Sequence, residues 1–373
     1  MPLKILIAPD KFKGTLTAHA AAKAIAAGWC RARSHDALEL LPMSDGGEGF
    51  GEIMGRLLGA TVQTVRTVDA AGRPCTARWW WELKTRTAVI ESAGVIGLAM
   101  LPPAKFHPFE LDTFGLGAVL RAASAKGARR CMIGIGGSAT NDGGFGLARA
   151  LGWEFRDCAG GLIARWTDLH TLAEVRAPRR RRWFDELLVA VDVQNPLLGV
   201  RGATRVYGPQ KGLQPSELAA AEKNLRRLAR VMSRGAAEFQ KHPGAGAAGG
   251  LGFCLLAFLG ARAESGFGLF ARHAKLEQRL RAADMVVTGE GRVDASTLMG
   301  KGVGQIARRC RDLKIPCLAL AGRISDRDKV LRWFHDAGAL TDLTAAAKAQ
   351  TEPGRWLQKL SQQAAEAVAI PTT

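Results

Sequence analysis

Cys131-Met-Ile-Gly-Ile-Gly-Gly-Ser-Ala-Thr-Asn-Asp-Gly-Gly144 runs from a short apolar stretch into a glycine-rich loop. Cys131 to Ile135 reads as a buried strand, and Phe145 to Leu151 as an amphipathic helix. Glycines at a strand-to-helix turn let backbone N–H groups approach an anion closely, and the helix N-terminus adds a favourable dipole. Ser138, Thr140 and Asp142 supply the hydroxyl and carboxylate oxygens that magnesium and a transferring phosphoryl group need. The stretch therefore predicts an α/β fold and phosphate chemistry.

Working outward, the chain alternates strand and helix at both ends. Lys4–Pro9 and Leu38–Pro42 read as strands, and Thr17–Arg33 and Glu48–Leu58 as helices. That rhythm predicts a parallel sheet covered on both faces. Thr61–Val68, Thr76–Leu83 and Thr87–Ser92 follow without intervening helices, which suggests a mixed or antiparallel sheet. Phe114–Lys126 reads as a helix, Glu186–Val193 and Thr204–Tyr207 as strands, and Pro215–Phe239 as a long charged helix. After the glycine-rich 242–250 the alternation returns, with Gly250–Ala261 and Gly302–Cys310 as helices and Met285–Thr288 and Cys317–Ala321 as strands. The expected architecture is a doubly wound parallel-sheet domain (1–64 plus 245–373) with a second α/β mixed-sheet domain (65–244) inserted. The natural site is a cleft between the two.

A chain of 373 residues suits two domains, and an apolar content of 47% with Gly 44 is ordinary for an α/β enzyme. No apolar run approaches the roughly 20 residues that span a bilayer, and the first strand starts almost at once, so the expectation is a cytoplasmic protein. The Cys 7 are scattered without CxxC spacing, which argues against a disulfide framework or a structural zinc. Lys+Arg 52 against Asp+Glu 34 gives +18. The excess is spread along helix-like segments apart from the run Arg179–Arg182, and aromatics are only 6%, too few for a base-stacking platform. Neither nucleic acid nor a membrane is the expected partner.

Three more strand ends carry glycines beside charge. Ala8-Pro-Asp-Lys-Phe-Lys-Gly-Thr15 ends a strand in an aspartate and two lysines. Pro42-Met-Ser-Asp-Gly-Gly-Glu-Gly49 has more glycine than helix capping explains. Val287-Thr-Gly-Glu-Gly-Arg-Val-Asp294 places Glu290 and Asp294 where parallel sheets commonly keep metal ligands, followed by Lys301. A Walker loop, a first-unit GxGxxG and a GxSxG elbow are absent, and none of the His 7 falls in a glycine loop. Carboxylates and lysines are left as the reacting groups.

These segments, with Asp192-Val-Gln-Asn-Pro-Leu-Leu-Gly199, Gly208-Pro-Gln-Lys-Gly212 and Pro243-Gly-Ala-Gly-Ala-Ala-Gly-Gly-Leu-Gly252, together resemble the glycerate kinase type 1 family. The likeness runs in order from residue 4 to about 323. It implies an ATP-dependent kinase acting on D-glycerate, usually giving 2-phosphoglycerate. It also implies a flavodoxin-like domain with an inserted domain of restriction-enzyme-like topology. The family usually reads Asp-x-Asp-Asn-Pro where this chain has Gln194, and the segment after Arg323 carries no clear motif.

On this reading Gly136, Gly137, Ser138, Thr140 and Asn141 hold ATP phosphates, and Lys13 or Lys301 reaches the transferred group. Glu290, Asp294 and Asp142 hold magnesium. Asp45 or Asp192 deprotonates the acceptor hydroxyl, and Lys211 and Arg292 are candidates for its carboxylate. Asp10, Ser44 and Glu48 complete the acceptor side. The expected partner is a small molecule, with the protein a monomer or homodimer. A kinase for a related small hydroxy acid and a non-catalytic nucleotide sensor of the same fold are the alternatives.

Overall fold

In the computed structural model, which describes residues 2–236, 238–298 and 302–368, two larger sheets hold eleven strands. Along the chain these are β1 (Lys4–Pro9), β2 (Ala37–Leu40), β3 (Thr61–Val68), β4 (Pro74–Glu82), β5 (Thr87–Glu91) and β6 (Arg130–Gly134). They continue with β7 (Glu186–Ala190), β8 (Arg262–Glu264), β9 (Met285–Gly289), β10 (Cys317–Ala321) and β11 (Asp336–Ala339). By contacts the chain divides into two compact units, Met1–Asp45 with Phe267–Thr373, and Gly46–Gly266.

In the first unit β1, β9 and β10 are apolar runs without alternation, buried almost throughout, as strands covered on both faces must be. They form a five-stranded sheet in the order β11-β10-β9-β1-β2, parallel throughout. Counted within the unit that is 2-1-3-4-5, the flavodoxin-like order, and the order reverses between β1 and β9.

The segment beyond Arg323 has a structural role. It supplies edge strand β11 and the helix Pro353–Ala367, which packs on the helix Ala18–Ala32. Their contact is close enough to need glycine: a Cβ on Gly28 would lie 2.1 Å from the carbonyl oxygen of Gln358. The Ser361 hydroxyl also donates to the Ile25 carbonyl at 2.7 Å. Gly28→Leu is expected to cost about 3 kcal/mol or more by forcing the helices apart; urea unfolding measures it, and a midpoint like the wild type's would refute the packing.

The second unit holds the order β8-β7-β6-β5-β4-β3, with β5 to β8 parallel and β3 to β5 antiparallel. This is the mixed sheet that the closely spaced strands predict. Strand alternation sorts the three tryptophans of β4: Trp79 and Trp81 enter the core with Ile90 and Ile133, while Trp80 turns to the helix Phe50–Leu57. There Gly51 and Gly55 leave room for its indole, because a Cβ at either would come within 2.3 Å of the ring.

That packing moves the expected boundaries. The helix Phe50–Leu57 and β3 belong with β4, so the division falls at 45/46 rather than 64/65. The helix Ala247–Ala257 closes on the 143 loop, so the return falls at 266/267 rather than 244/245. One expected strand is a helix. Thr204–Tyr207 lies in Ala203–Lys211, where Thr204, Gly208 and Lys211 form a buried stripe at helical spacing. β-branched Thr204 and Val206 suggest a strand locally, and the packing overrides them.

Candidate active site

β1 and β9 are neighbours at the order reversal, and their carboxyl ends lead into Asp10 and Glu290. The Asp10 N–H donates to the Gly289 carbonyl at 2.8 Å. The Met43 N–H donates to the Pro9 carbonyl at 3.0 Å, which brings the loop ending in Asp45 to the same place. The Asp10 carboxyl registers the crowding. Burial pushes it up to about 7, and the charges of Asp45 and Glu290 add to that. The Lys11 charge and its N–H, which donates to Oδ1 at 2.7 Å, pull the other way. Carboxylates from three of the sequence loops thus bear on one strand end.

The Glu290 loop is braced from its own far side. Glu290 Oε1 accepts from the Thr297 hydroxyl at 2.7 Å, and Asp294 Oδ2 lies 3.0 Å from Arg292 Nε. A Cβ on Gly291 would stand 3.1 Å from the Lys13 nitrogen, so this loop and the Lys13 loop touch backbone to backbone. Ser44 is buried and Lys13 exposed, while Lys301 lies outside the described residues. Among the described residues no three His, Cys, Asp or Glu side chains are grouped to hold a metal.

In the second unit the loop after β6 is more enclosed than its glycines suggest. Only Gly136 and Gly137 reach solvent appreciably; Ser138 to Asp142 are buried. Several glycines serve close backbone packing instead: a Cβ on Gly136 would meet Gly47 Cα at 2.7 Å, and one on Gly249 would meet the Thr140 carbonyl oxygen at 1.9 Å. The Gly136 N–H is committed to the Gly46 carbonyl at 3.1 Å. Among the described residues those of Gly137 and Ser138 have no backbone carbonyl partner, and Gly137 sits at φ 83°, where an added Cβ would stand 3.5 Å from Ala93 Cβ. The part of the loop able to meet an anion narrows to Gly137–Ser138.

Asp142 does not fit the magnesium role expected of it. It is fully buried, and Oδ2 accepts from the Thr113 N–H, the Thr113 hydroxyl and the Gly146 N–H at 2.9, 2.7 and 2.9 Å. Oδ1 accepts from the Gly144 N–H at 3.1 Å. Burial still pushes the carboxyl above its ordinary range, against these bonds. Asp142 is a bracket for the loop. Lys211 is a second one: its amine donates to Ser138 Oγ at 3.1 Å and to the Thr140 carbonyl at 2.6 Å, leaving one of its three protons. Burial lowers this lysine to about 7, with the Asp142 charge opposing. The Asn141 amide donates to Thr204 Oγ1 at 3.0 Å, while Asn141 Oδ1 and Thr140 Oγ1 are buried with no hydrogen-bond partner among the described residues.

Asp192 follows β7 and accepts from the Ser265 hydroxyl at 2.7 Å. Gln194, the departure from the family pattern, is exposed, whereas Asn195 is used structurally, accepting from the Tyr207 hydroxyl at 2.6 Å. Glu48 is exposed.

A family model described as the glycerate kinase family matches residues 5–369. The chain belongs to the glycerate kinase family. It is 38% identical over 350 residues to the glycerate kinase of Bacillus subtilis (92% of this chain, 91% of the relative). It is 35% identical over 333 residues to the glycerate 2-kinase of Escherichia coli (87% and 86%). A crystal structure of a protein described as glycerate kinase 2 from Salmonella typhimurium LT2 superposes with a TM-score of 0.80 at 33% identity, covering 98% of both chains. This glycerate kinase family member is therefore a phosphotransferase, and ATP is the phosphoryl donor that the family implies. No helix among its described residues is long and apolar enough to cross a membrane.

One residue of the kinase that sequence reasoning missed is Glu91, at the carboxyl end of β5. Its two oxygens accept from the N–H groups of Gly49 and Gly51 at 3.1 and 3.0 Å, fixing the Gly46–Gly49 loop and the start of its helix. An acidic residue ending a strand was the available signal. Glu91→Ala is expected to destabilise the protein by about 1–3 kcal/mol, since two N–H groups lose a charged acceptor. Thermal unfolding and turnover check it together, and a variant with unchanged turnover would show that the loop's position does not matter for the reaction.

Proposed function

We propose that this kinase transfers the γ-phosphoryl group of ATP to the 2-hydroxyl of D-glycerate, giving 2-phosphoglycerate. The observation that carries the reading is the convergence of Asp45 and Glu290 on Asp10 at the strand-order reversal, where ligands of open parallel sheets bind. Hard carboxylate oxygens that repel one another suit a divalent cation, and magnesium commonly uses one or two protein carboxylates and keeps several waters. The absence of a three-ligand group is therefore compatible with it. Glu290 and Asp294 would hold magnesium, whose chemistry when bound is to neutralise charge on the phosphoryl oxygens.

The chain's own residues divide the remaining work. Asp45 orients the glycerate hydroxyl and takes its proton, with Asp192 as the second candidate for that duty. Asp10, raised to about 7, can keep a proton on Oδ2 while Oδ1 accepts from Lys11, and so hydrogen-bond an acceptor oxygen. Ser44 and Glu48 belong to the acceptor side. The N–H groups of Gly137 and Ser138 meet the ATP phosphates, with Gly136, Thr140 and Asn141 supporting the loop. Lys13 reaches the transferred group, as would Lys301. Lys211 supplies positive charge behind the loop. Arg292, already paired with Asp294, is the weaker candidate for the glycerate carboxylate. The reading includes a cytoplasmic enzyme working as a monomer or homodimer.

Phosphorus NMR of a mixture with ATP, magnesium and D-glycerate tests the proposal. A 2-phosphoglycerate signal is expected. A 3-phosphoglycerate signal would overturn the regiochemistry, and ADP release with another hydroxy acid only would overturn the substrate.

A further inference from the structure

At the other end of the first unit's sheet, an open pocket of about 330 Å³ is lined by Arg311, Lys314, Arg332 and His335, together with Trp333 and Cys317. Cys317 opens β10 and His335 immediately precedes β11, so the pocket lies at the amino ends of the parallel strands. Asp10 and Glu290 lie at the carboxyl ends, and a five-residue strand spans roughly 17 Å. A ligand in this pocket does not touch the acidic cluster.

The charge here is concentrated and almost uncompensated. Among the described residues no carboxylate pairs with Lys314, Arg332 or His335, and Asp312 approaches Arg311 only to 3.9 Å. The Arg311 guanidinium is held 4.3 Å from the centroid of the Trp333 ring, with Arg308 at 5.9 Å. A helix C-terminus favours nearby cations, which accounts for Arg311 in the last turn of Gly302–Leu313. It favours a cation at Lys314 as well, but it does not account for the backbone that Lys314 adopts. That residue sits past the helix at φ 58°, with the Ile315 N–H closing back on the Cys310 carbonyl at 2.8 Å. Glycine fills such a position without strain, and a lysine does not. Its cation is bought with backbone energy, and Arg332 and His335 arrive from a different part of the chain to join it.

We propose that this pocket is a second anion site, separate from the reaction centre, that takes a small phosphorylated metabolite bearing two or more negative charges. Arg and Lys donors in a concave site next to an aromatic ring suit phosphate groups, and the volume fits a small metabolite. The inference does not depend on which substrate the kinase phosphorylates.

Calorimetric titration of inorganic pyrophosphate into the full chain, at fixed ionic strength, tests it. Lys314→Gly combined with Arg332→Ser should weaken one binding event tenfold or more. Lys314→Gly alone should leave Tm unchanged or raised, because the strain is relieved. Arg179→Ser with Arg181→Ser removes the same charge elsewhere and should leave that event unchanged, as should Lys211→Met. Equal weakening in the Arg179/Arg181 variant would reduce the effect to net charge and overturn the site. So would wild-type affinity in the Lys314/Arg332 variant, or loss confined to Lys211→Met.

Discussion

Asp45→Asn is expected to lower turnover by about 10³-fold, within the range that a lost general base produces, while ATP binding stays within about twofold. The substitution keeps the shape of the side chain and removes its charge and basicity. Asp45 stands at the end of a loop tied to β1 through Met43, and its charge is the largest neighbouring influence on Asp10 after burial. Removing that charge also relieves like-charge repulsion, so Tm should stay level or rise. A purely structural aspartate would show the opposite, with lower Tm and little change in turnover. Turnover of a pre-formed ternary mixture, with ATP affinity read separately by a non-hydrolysable analogue, distinguishes the cases. Near-normal turnover removes Asp45 as the base and transfers the duty to Asp192, whose own Asn variant then becomes decisive.

What could be read from residues alone follows the range of each interaction. β1, β9 and β10 were legible because uninterrupted apolar runs bounded by glycines and charge have few other uses. That β9 pairs with β1 was not, since the partners Leu6 and Val286 are brought together only by the fold. The same distance explains the site. Asp10, Asp45 and Glu290 each stand out locally as carboxylates at glycine-flanked strand ends. Asp142 has the same local signature, yet its oxygens go to backbone N–H groups and to Thr113, a partner 29 residues earlier. No local pattern separates a carboxylate that binds metal from one that braces a loop. Glu91 was missed for the converse reason: it ends its strand with no glycine adjoining it, and the loop it fixes lies 42 residues before it. Glycine was over-read in one respect. A phosphate approaching a loop and another backbone approaching it both demand a missing Cβ, and at Gly136 and Gly249 the second demand is the one met.

Lys211 is the residue for which burial argues most strongly for function. Folding takes its amine out of water and lowers it to about 7 from an ordinary 10.5. Two hydrogen bonds, to Ser138 and to the Thr140 carbonyl, do not by themselves require a lysine there. Lys211→Met is expected to reduce kcat/KM by about 10²–10³-fold, the scale of losing one preorganised donor to a developing anion. The wild-type kcat/KM should also decline as pH rises above about 7, as the free enzyme loses this proton together with that of Asp10, and the methionine variant should show a shallower decline, left by Asp10 alone. Stability runs the other way. Between about 7 and 10.5 the unfolded chain holds a proton that the folded one has released, so wild-type stability gains with pH across that window and is flat below it. The stability difference between wild type and Lys211→Met should therefore shift toward the wild type by up to about 1.4 kcal/mol per pH unit. Urea unfolding at pH 6.5, 8 and 9.5 reads that slope independently of activity. A flat difference would mean that the amine is solvated after all, and an intact kcat/KM would reduce Lys211 to a strap holding the loop.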